Sequence, residues 1–227
     1  MKIPLFDLDK TLVEGDVTPY DQGCNYALST VYHIPGKKTD IVTHGKIDNE
    51  IFIKIAKLHG VDEGKIIRLL PKAVRTMGEY FLRHANEGQY PLPGAIELLT
   101  ELKKQGTKIG VLTGNMEVVA LERLKRSGFE NLIDFGAFGD LALRRVDLIE
   151  IARKRASKKF GYEISKEELV IIGDAQRDME CAKERRILAI GVTTGAFSER
   201  ELYKAGADLV IPSLLEEQKI LDFLEIS

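Results

Sequence analysis

The sequence predicts an α/β fold in which a parallel β-sheet core carries a helical segment inserted near the N-terminus. From about residue 90 onward, short apolar runs alternate with helical patterns. This alternation predicts right-handed crossovers and a parallel sheet that is covered by helices on both faces. Between residues 14 and 89 the pattern is helical, without a clear apolar strand run. We therefore assign residues 1–13 and 90–227 to the core and residues 14–89 to the insertion.

The first strand of the core is predicted at residues 2–6, although Pro4 cannot donate a ladder hydrogen bond and should make the strand short or irregular. The later strands are the remaining apolar runs: 109–112, 133–138, 169–172, 187–192 and 208–211. The helices between and after them have apolar residues at helical spacing and cover 95–105, 118–127, 146–159, 175–185 and 214–223.

The insertion contains two well-marked helices. The first begins at Asp48 and ends at Gly60, and the second begins near Asp62 and continues to about residue 81, with Pro71 as an expected break or kink. The stretch before them, residues 34–46, is predicted to be a loop. Two prolines and a glycine within residues 90–94 mark the return to the core.

Composition limits the classes of protein to consider. The chain has 227 residues, 44% of them hydrophobic, and a formal net charge of −2, so we expect a globular protein without a basic surface for nucleic acid. Cys24 and Cys181 belong to no zinc or disulfide pattern, which favours a reducing compartment. No apolar run approaches the length of a membrane span. We expect a cytoplasmic protein that binds neither nucleic acid nor membrane.

Polar residues follow three of the predicted strands. Asp7 and Asp9 follow the first, Thr113-Gly114-Asn115 follows the strand at 109–112, and Gly173-Asp174 follows the strand at 169–172, with Asp178 one helical turn later. In a parallel sheet, ligands bind beyond the carboxyl ends of the strands. We therefore expect these residues to meet at one site.

The acids at these strand ends have two interpretations. Thr and Asp commonly cap helices, and Asp7 and Asp9 could be solvated acids at the end of a strand. Alternatively, closely spaced carboxylates repel each other unless a cation binds between them, and hard oxygen ligands suit Mg²⁺. The occurrence of acids after several strands favours the metal site.

Taken together, Asp7-Leu8-Asp9-Lys10-Thr11, then Thr113, a basic residue, Gly173-Asp174 and Asp178 resemble the ordered motifs of the haloacid dehalogenase superfamily. The resemblance is to its phosphatases, in particular the phosphoglycolate phosphatase-like subgroup. It implies a Rossmann-like core, a helical cap domain matching residues 14–89, and Mg²⁺-dependent phosphoryl transfer through an aspartyl-phosphate.

The resemblance also implies roles for the residues at the strand ends. Asp7 corresponds to the nucleophile and Asp9 to the general acid and base, while Thr113 binds phosphate together with Gly114 and Asn115. The predicted magnesium ligands are Asp7, the main-chain carbonyl of Asp9, and Asp174, with Asp178 supporting the metal or its waters.

Two further groups of residues are assigned from the resemblance. A cation that neutralises the phosphoryl oxygens corresponds to Arg144 or Arg145, and the run from Phe138 to Ala152 favours Arg145. In the cap, His44-Gly45-Lys46 together with Asp48 resembles a region that faces substrate in relatives of phosphoglycolate phosphatase.

The function predicted in this way is hydrolysis of a small phosphorylated metabolite, with phosphoglycolate as one possible substrate, by a monomer or homodimer. A sugar phosphomutase of the β-phosphoglucomutase type would use the same residues. A 2-haloacid dehalogenase fits less well because that chemistry does not require Asp9, and a non-catalytic binding protein would not need the full set of acids.

Overall fold

A computed structural model describes residues 2–85 and 88–226 of the chain. Its strands, in chain order, are β1 (Ile3–Phe6), β2 (Val13–Gly15), β3 (Gln89–Pro91), β4 (Gly110–Leu112), β5 (Phe135–Ala137), β6 (Leu169–Gly173), β7 (Leu188–Val192) and β8 (Leu209–Ile211). Its α-helices are α1 (Thr18–Ala27), α2 (Asp48–Leu58), α3 (Glu63–His84), α4 (Ala95–Lys104), α5 (Glu117–Arg126), α6 (Asp147–Phe160), α7 (Gln176–Arg185), α8 (Glu199–Ala205) and α9 (Glu217–Phe223).

The main sheet has six strands among the described residues, in the order β5-β4-β1-β6-β7-β8, and every neighbouring pair is parallel. This confirms the predicted α/β fold with a Rossmann-like core. The strand β1 lies inside the sheet despite Pro4. Its pairing with β6 covers all four residues, whereas its pairing with β4 covers only Leu5 and Phe6, so Pro4 lies where the ladder to β4 has not begun.

Alternate residues of the buried strands enter two separate hydrophobic clusters, because successive side chains of a strand point to opposite faces. On one face, Phe6 and Ile172 pack with α4, α5 and α9. On the other face, Leu5 and Ile171 pack with α6, α7 and α8. The sheet is therefore covered on both sides, and its carboxyl edge remains available for a site.

The inserted segment has a hydrophobic cluster of its own. Helices α1, α2 and α3 contribute most of it, and Met116 and Val119, at the start of α5, join it from the core. Of the break or kink expected at Pro71, the break is wrong, because α3 continues through this residue. The proline removes one helical hydrogen bond, but Ile66 and Leu70 before it and Met77 and Phe81 after it are buried in the same cluster, which stabilises both halves as one helix.

Strand β2 lies where the chain enters the insertion and β3 where it leaves, and the two pair as an antiparallel ribbon. The predicted boundaries, after residue 13 and after residue 89, both fall within this ribbon. Two three-residue strands carry too little apolar pattern to be recognised from sequence.

Two further features differ from the sequence-based expectation. Helix α8 was not predicted, because its seven residues bury only Leu202 and give no apolar period. Helix α5 forms where the spacing of Val118, Val119, Leu121 and Leu124 predicts a helix, but Val118 and Leu121 lie on its exposed side while Arg123 is buried. No helix within residues 2–85 and 88–226 combines the length and apolar character that crossing a bilayer requires.

Candidate active site

The three strands β4, β1 and β6 are neighbours in the sheet, so their carboxyl ends lie side by side. Thr113, Asp7 and Asp174 directly follow these strands, which brings together the residues that the sequence placed at one site. The cavity at this edge has a volume of about 520 Å³. Its lining includes the predicted site residues Asp7, Asp9, His44, Lys46, Gly114, Asn115, Arg145 and Asp174. Thr113 and Asp178 are fully buried beside it.

Three carboxylates form the centre of the site. One oxygen from each of Asp7, Asp174 and Asp178 lies within 4.8 Å of the others. The guanidinium of Arg145 bridges two of them: its Nη2 donates to Asp7 Oδ1 at 2.9 Å and also to Asp178. Arg144, the other candidate cation, is exposed and pairs with Glu184. Of the two arginines, Arg145 is therefore the one at the site.

The electrostatics of this cluster favour an added cation. Burial raises the pKa of Asp7 above its ordinary value, the neighbouring carboxylates Asp178 and Asp9 raise it further, and Arg145 offsets only part of the effect. Burial and the negative charges of Asp7 and Asp178 also raise the pKa of Asp174. When all three are ionised, the carboxylates beside one guanidinium carry an excess of negative charge, which a divalent ion would neutralise.

The surroundings of Asp174 also fit a metal ligand. A Cβ atom at Gly195 would lie only 1.7 Å from Asp174 Oδ2, so the loop after β7 leaves space for this carboxylate only because residue 195 is glycine. No donor among the described residues forms a hydrogen bond with the Asp174 carboxylate. Its oxygens are free to bind a cation, and the oxygen donors of the cluster are the type that Mg²⁺ prefers.

The carboxylate of Asp9 lies apart from this cluster. Its Oδ1 is 2.6 Å from Nη1 of Arg123, and its Oδ2 accepts a hydrogen bond of 2.6 Å from Nδ2 of Asn115. Burial favours a higher pKa for Asp9, but the charge of Arg123 and the hydrogen bonds from Asn115 and Arg123 outweigh it and lower the pKa. Asp9 is a predicted metal ligand, but its carboxylate contributes no oxygen to the group of Asp7, Asp174 and Asp178.

The loop after β4 is held tightly between the core and the insertion. Thr113 Oγ1 accepts hydrogen bonds of 3.2 Å from the backbone N–H and the side-chain amide of Asn115. A Cβ atom at Gly114 would lie 2.3 Å from the main-chain oxygen of Lys46, so only glycine allows the two chains to approach this closely. These contacts fix a polar loop of the kind that can hold phosphate oxygens.

The insertion contributes the opposite wall of the cavity. His44 is exposed, with its ring edge-on to Phe197. Lys46 is half-buried, and desolvation together with the nearby charge of Lys54 lowers its pKa. Lys38, which belongs to no motif of the sequence, also lines the cavity and pairs with Asp21 at 2.6 Å.

A buried contact joins the insertion to the loop after β4. Tyr20 donates a hydrogen bond to Asp48 Oδ1, and the backbone N–H of Met116 donates to Asp48 Oδ2 at 2.8 Å. The backbone N–H of Asp48 in turn donates to the carbonyl of Gly114 at 2.9 Å. Burial raises the pKa of Asp48 to about 6, although the hydrogen bonds from Tyr20 and Met116 oppose the shift.

The sequence gives no motif for Arg123, and it indicates Asp48 only as a residue of the cap region with His44 and Lys46, not as a contact of the loop after β4. A signal for Arg123 was present, because it lies four residues after Val119 and three after Ala120, on the buried side of α5. A charged residue on the apolar face of a helix needs a buried partner. Asp48 resembled an ordinary helix-start acid, and its contact with the core depends on tertiary packing.

Comparisons with known proteins agree with this geometry. The family model described as haloacid dehalogenase-like hydrolase matches residues 4–192. A glyceraldehyde 3-phosphate phosphatase of Methanocaldococcus jannaschii is 29% identical, covering 66% of this chain and 69% of its own. A phosphoglycolate phosphatase of Agrobacterium fabrum is 25% identical, covering 92% and 87%. The crystal structure of a hydrolase from Pseudomonas syringae matches with a TM-score of 0.67 and 25% identity over 100% of both chains.

The family model spans most of the chain, and it includes every strand-end motif on which the resemblance was based. The predicted family and the prediction that the protein is an enzyme of the hydrolase class are thereby confirmed. The chain belongs to the haloacid dehalogenase-like hydrolases.

Proposed function

We propose that the protein is a Mg²⁺-dependent phosphatase that hydrolyses small phosphate monoesters through an aspartyl-phosphate on Asp7. The observation that carries the proposal is the separation of the acids at the strand ends. Asp7, Asp174 and Asp178 share one cluster with Arg145, while Asp9 is held apart by Arg123 and Asn115. One site thus offers a cation-binding cluster that includes the proposed nucleophile, and a second acid outside that cluster for proton transfer.

In the first half of the proposed reaction, a carboxylate oxygen of Asp7 attacks the phosphorus, and the bond from phosphorus to the ester oxygen breaks. Asp9 gives a proton to the leaving oxygen, so that an alcohol departs and Asp7 carries the phosphoryl group. In the ligand-free protein the pKa of Asp9 is low. A substrate dianion beside Asp9 would raise it, and Asp9 would then take up the proton that it donates.

In the second half, Asp9 accepts a proton from water while the water oxygen attacks the phosphorus of phosphorylated Asp7. The bond from phosphorus to the Asp7 oxygen breaks, which releases inorganic phosphate and restores both carboxyl groups. The same acid serves both halves because the leaving oxygen and the attacking water occupy the same side of the phosphoryl group.

The remaining residues of the site bind charge. Thr113 and the backbone N–H groups of Gly114 and Asn115 would hold phosphoryl oxygens, and Arg145 would stabilise the negative charge that they carry in the transition state. Asp7, Asp174 and the main-chain carbonyl of Asp9 would hold Mg²⁺, with Asp178 in support. The ion would supply the positive charge that lets a carboxylate approach an anionic phosphate.

We further propose that residues 14–89 act as a cap that selects the leaving group. Support comes from the cavity, since Lys46, His44 and Lys38 line it opposite the acids. Substituting His44 or Lys46 with alanine should change the relative rates across a panel of phosphate esters. Unchanged relative rates in both variants would mean that this loop does not determine substrate specificity.

Phosphoglycolate is the first substrate to test, and glyceraldehyde 3-phosphate is the second. The proposal draws on the names of the similar proteins, one a phosphoglycolate phosphatase and the other a glyceraldehyde 3-phosphate phosphatase. Both compounds are monoesters with small leaving groups, and a cavity of about 520 Å³ has room for either of them.

The decisive experiment measures phosphate release from a panel of monoesters with Mg²⁺ and after chelation, in the wild type and in Asp7→Asn. We expect release that depends on Mg²⁺ and is lost in the variant. Acid quenching during turnover, borohydride reduction and peptide mass analysis should place the label on Asp7. A label elsewhere or full activity in Asp7→Asn would contradict the mechanism, and isomerisation of a sugar phosphate without net release would favour the mutase.

A further inference from the structure

The side chain of Arg123 is one of the largest that the described part of the protein buries completely. It extends from helix α5 and is 2% exposed. A guanidinium in such a position loses its hydration, and the loss must be compensated by an anion and by hydrogen-bond acceptors. Arg123 finds the anion in Asp9 and the acceptors in Asn115 and Gln89.

These contacts hold the Asp9 carboxylate from one side only. Arg123 Nη1 is 2.6 Å from Asp9 Oδ1 and donates to Asn115 Oδ1 at 3.0 Å, while Asn115 Nδ2 donates to Asp9 Oδ2 at 2.6 Å. Asn115 is 4% exposed, so Arg123 and Asn115 support the carboxylate from its buried side. The side chain of Asp9 is still 44% exposed, which leaves its outer lone pairs available toward the cavity.

The other end of the guanidinium is anchored to the ribbon of β2 and β3. Arg123 Nε donates to Gln89 Oε1 at 2.8 Å, and Gln89 Nε2 donates to the main-chain oxygen of Asp16 at 2.6 Å. Gln89 is 5% exposed. The position of Arg123 is therefore set by helix α5 together with the two chain segments that lead into and out of the insertion.

We propose that Arg123 is a positioning residue that fixes the Asp9 carboxylate in the orientation required for proton transfer to the leaving group. This inference rests on the proposed function, because it assigns Asp9 the role of general acid. In this role Arg123 acts on Asp9 directly and through Asn115, and it does not itself bind the phosphoryl group. Its loss should slow protonation of the leaving oxygen and leave the three-acid cluster intact.

Leaving-group dependence separates this role from a structural one. An alkyl phosphate needs a proton on its departing oxygen, whereas 4-nitrophenyl phosphate has a stable phenolate as leaving group and needs little assistance. We expect Arg123→Met to lower kcat/KM for the best alkyl phosphate by about a hundredfold, and that for 4-nitrophenyl phosphate by less than about tenfold. Arg126→Met on the same helix is the matched control, since Arg126 pairs with Glu122 near the surface, and it should leave the ratio of the two values unchanged.

A double-mutant cycle provides the second test. If Arg123 acts through Asp9, Arg123→Met should cost less than about threefold in the Asp9→Asn background, because the group that it positions no longer transfers a proton. Arg123→Lys keeps a buried positive charge but loses the planar set of N–H donors. It replaces Arg123→Met in the test if the methionine variant does not fold. It should show the same leaving-group dependence with a smaller loss.

Equal losses for alkyl and aryl substrates, or equal losses in the wild-type and Asp9→Asn backgrounds, would overturn the inference, as would wild-type rates in both Arg123 variants. These outcomes differ from failure of the proposed function. In that case the wild-type protein would release no phosphate from either substrate, whatever residue occupied position 123.

Discussion

Arg145 Nη2 lies 2.9 Å from Asp7 Oδ1, and the same nitrogen donates to Asp178. The proposed nucleophile therefore shares one cation with a buried acid that belongs to helix α7. Asp178 also accepts a hydrogen bond from the backbone N–H of Ala175, so its carboxylate is held by its own helix and can hold Arg145 in turn. The guanidinium is therefore fixed beside the proposed nucleophile by protein groups.

The first prediction follows from this contact. Arg145→Met should lower kcat by about a hundredfold to a thousandfold, the usual effect of removing one preorganised donor from a site of developing negative charge. Arg144→Met is the matched control, because Arg144 is exposed and pairs with Glu184, and its kcat should stay within about twofold of the wild type. Steady-state kinetics of both variants with one substrate would decide, and a larger loss in Arg144→Met would reverse the assignment.

A second prediction concerns protons and Mg²⁺. The pKa values of Asp7 and Asp174 are raised by burial and by mutual repulsion, so both groups retain protons above the ordinary range for carboxyl groups. Mg²⁺ binds the ionised forms and must displace these protons. The apparent affinity for Mg²⁺ should therefore increase as the pH rises through the neutral range, with net release of protons.

Calorimetric titration of the protein with Mg²⁺ in two buffers of equal pH and different ionisation enthalpy would measure this proton release. Asp174→Asn should lose both the binding and the release. An affinity for Mg²⁺ that does not change with pH, or a proton release of zero, would mean that the cluster is already ionised without the metal.

The third prediction concerns Asp48, whose pKa is raised to about 6 from 3.8 by burial. Between these values the folded protein binds a proton that the unfolded chain does not, so the contribution of Asp48 to stability is present below about pH 4 and is lost as pH rises through 6. The free energy of unfolding of the wild type, minus that of Asp48→Asn, should fall by on the order of 3 kcal/mol over this interval.

Urea denaturation of both proteins at a series of pH values would measure this difference, and the subtraction removes the contributions of other titrating groups. Tyr20→Phe provides a second check. It removes a hydrogen bond that lowers the pKa of Asp48, so the pH-dependent interval should extend upward. A difference that is constant from pH 4 to 7 would show that Asp48 titrates normally.

The strand-end acids could be predicted from sequence because two simple rules determine their positions. Apolar runs identify the strands, and a parallel sheet brings the carboxyl ends of its strands to one edge. Asp7 and Asp174 meet for this reason, since β1 and β6 are neighbours in the sheet. Arg145 needed the family resemblance, because its distance from the strand ends depends on the path of the loop before α6.

Arg123 and Asp48 show where such rules no longer suffice. The rotation of α5 about its axis decides whether Val118 and Leu121 or Arg123 face inward, and the polar partners Asp9, Asn115 and Gln89 decide it in favour of the arginine. A helical pattern that counts only apolar residues chooses the other side. The contact of Asp48 with Met116 depends on how the insertion packs on the core, which no local pattern encodes.

The last prediction tests the close packing of Gly195 against Asp174. A Cβ atom at Gly195 would lie 1.7 Å from Asp174 Oδ2 and 2.9 Å from its Cβ, so the whole side chain must move in Gly195→Ala. We expect the affinity for Mg²⁺ to fall by about tenfold or more, which is the usual effect of disturbing the residues that orient a metal ligand. The melting temperature should change little. Gly64→Ala, at an exposed position of helix α3, is the matched control and should bind Mg²⁺ as the wild type does. Calorimetric titration with Mg²⁺ would measure both variants. Wild-type affinity in Gly195→Ala would contradict the assignment of Asp174 as a ligand of the ion.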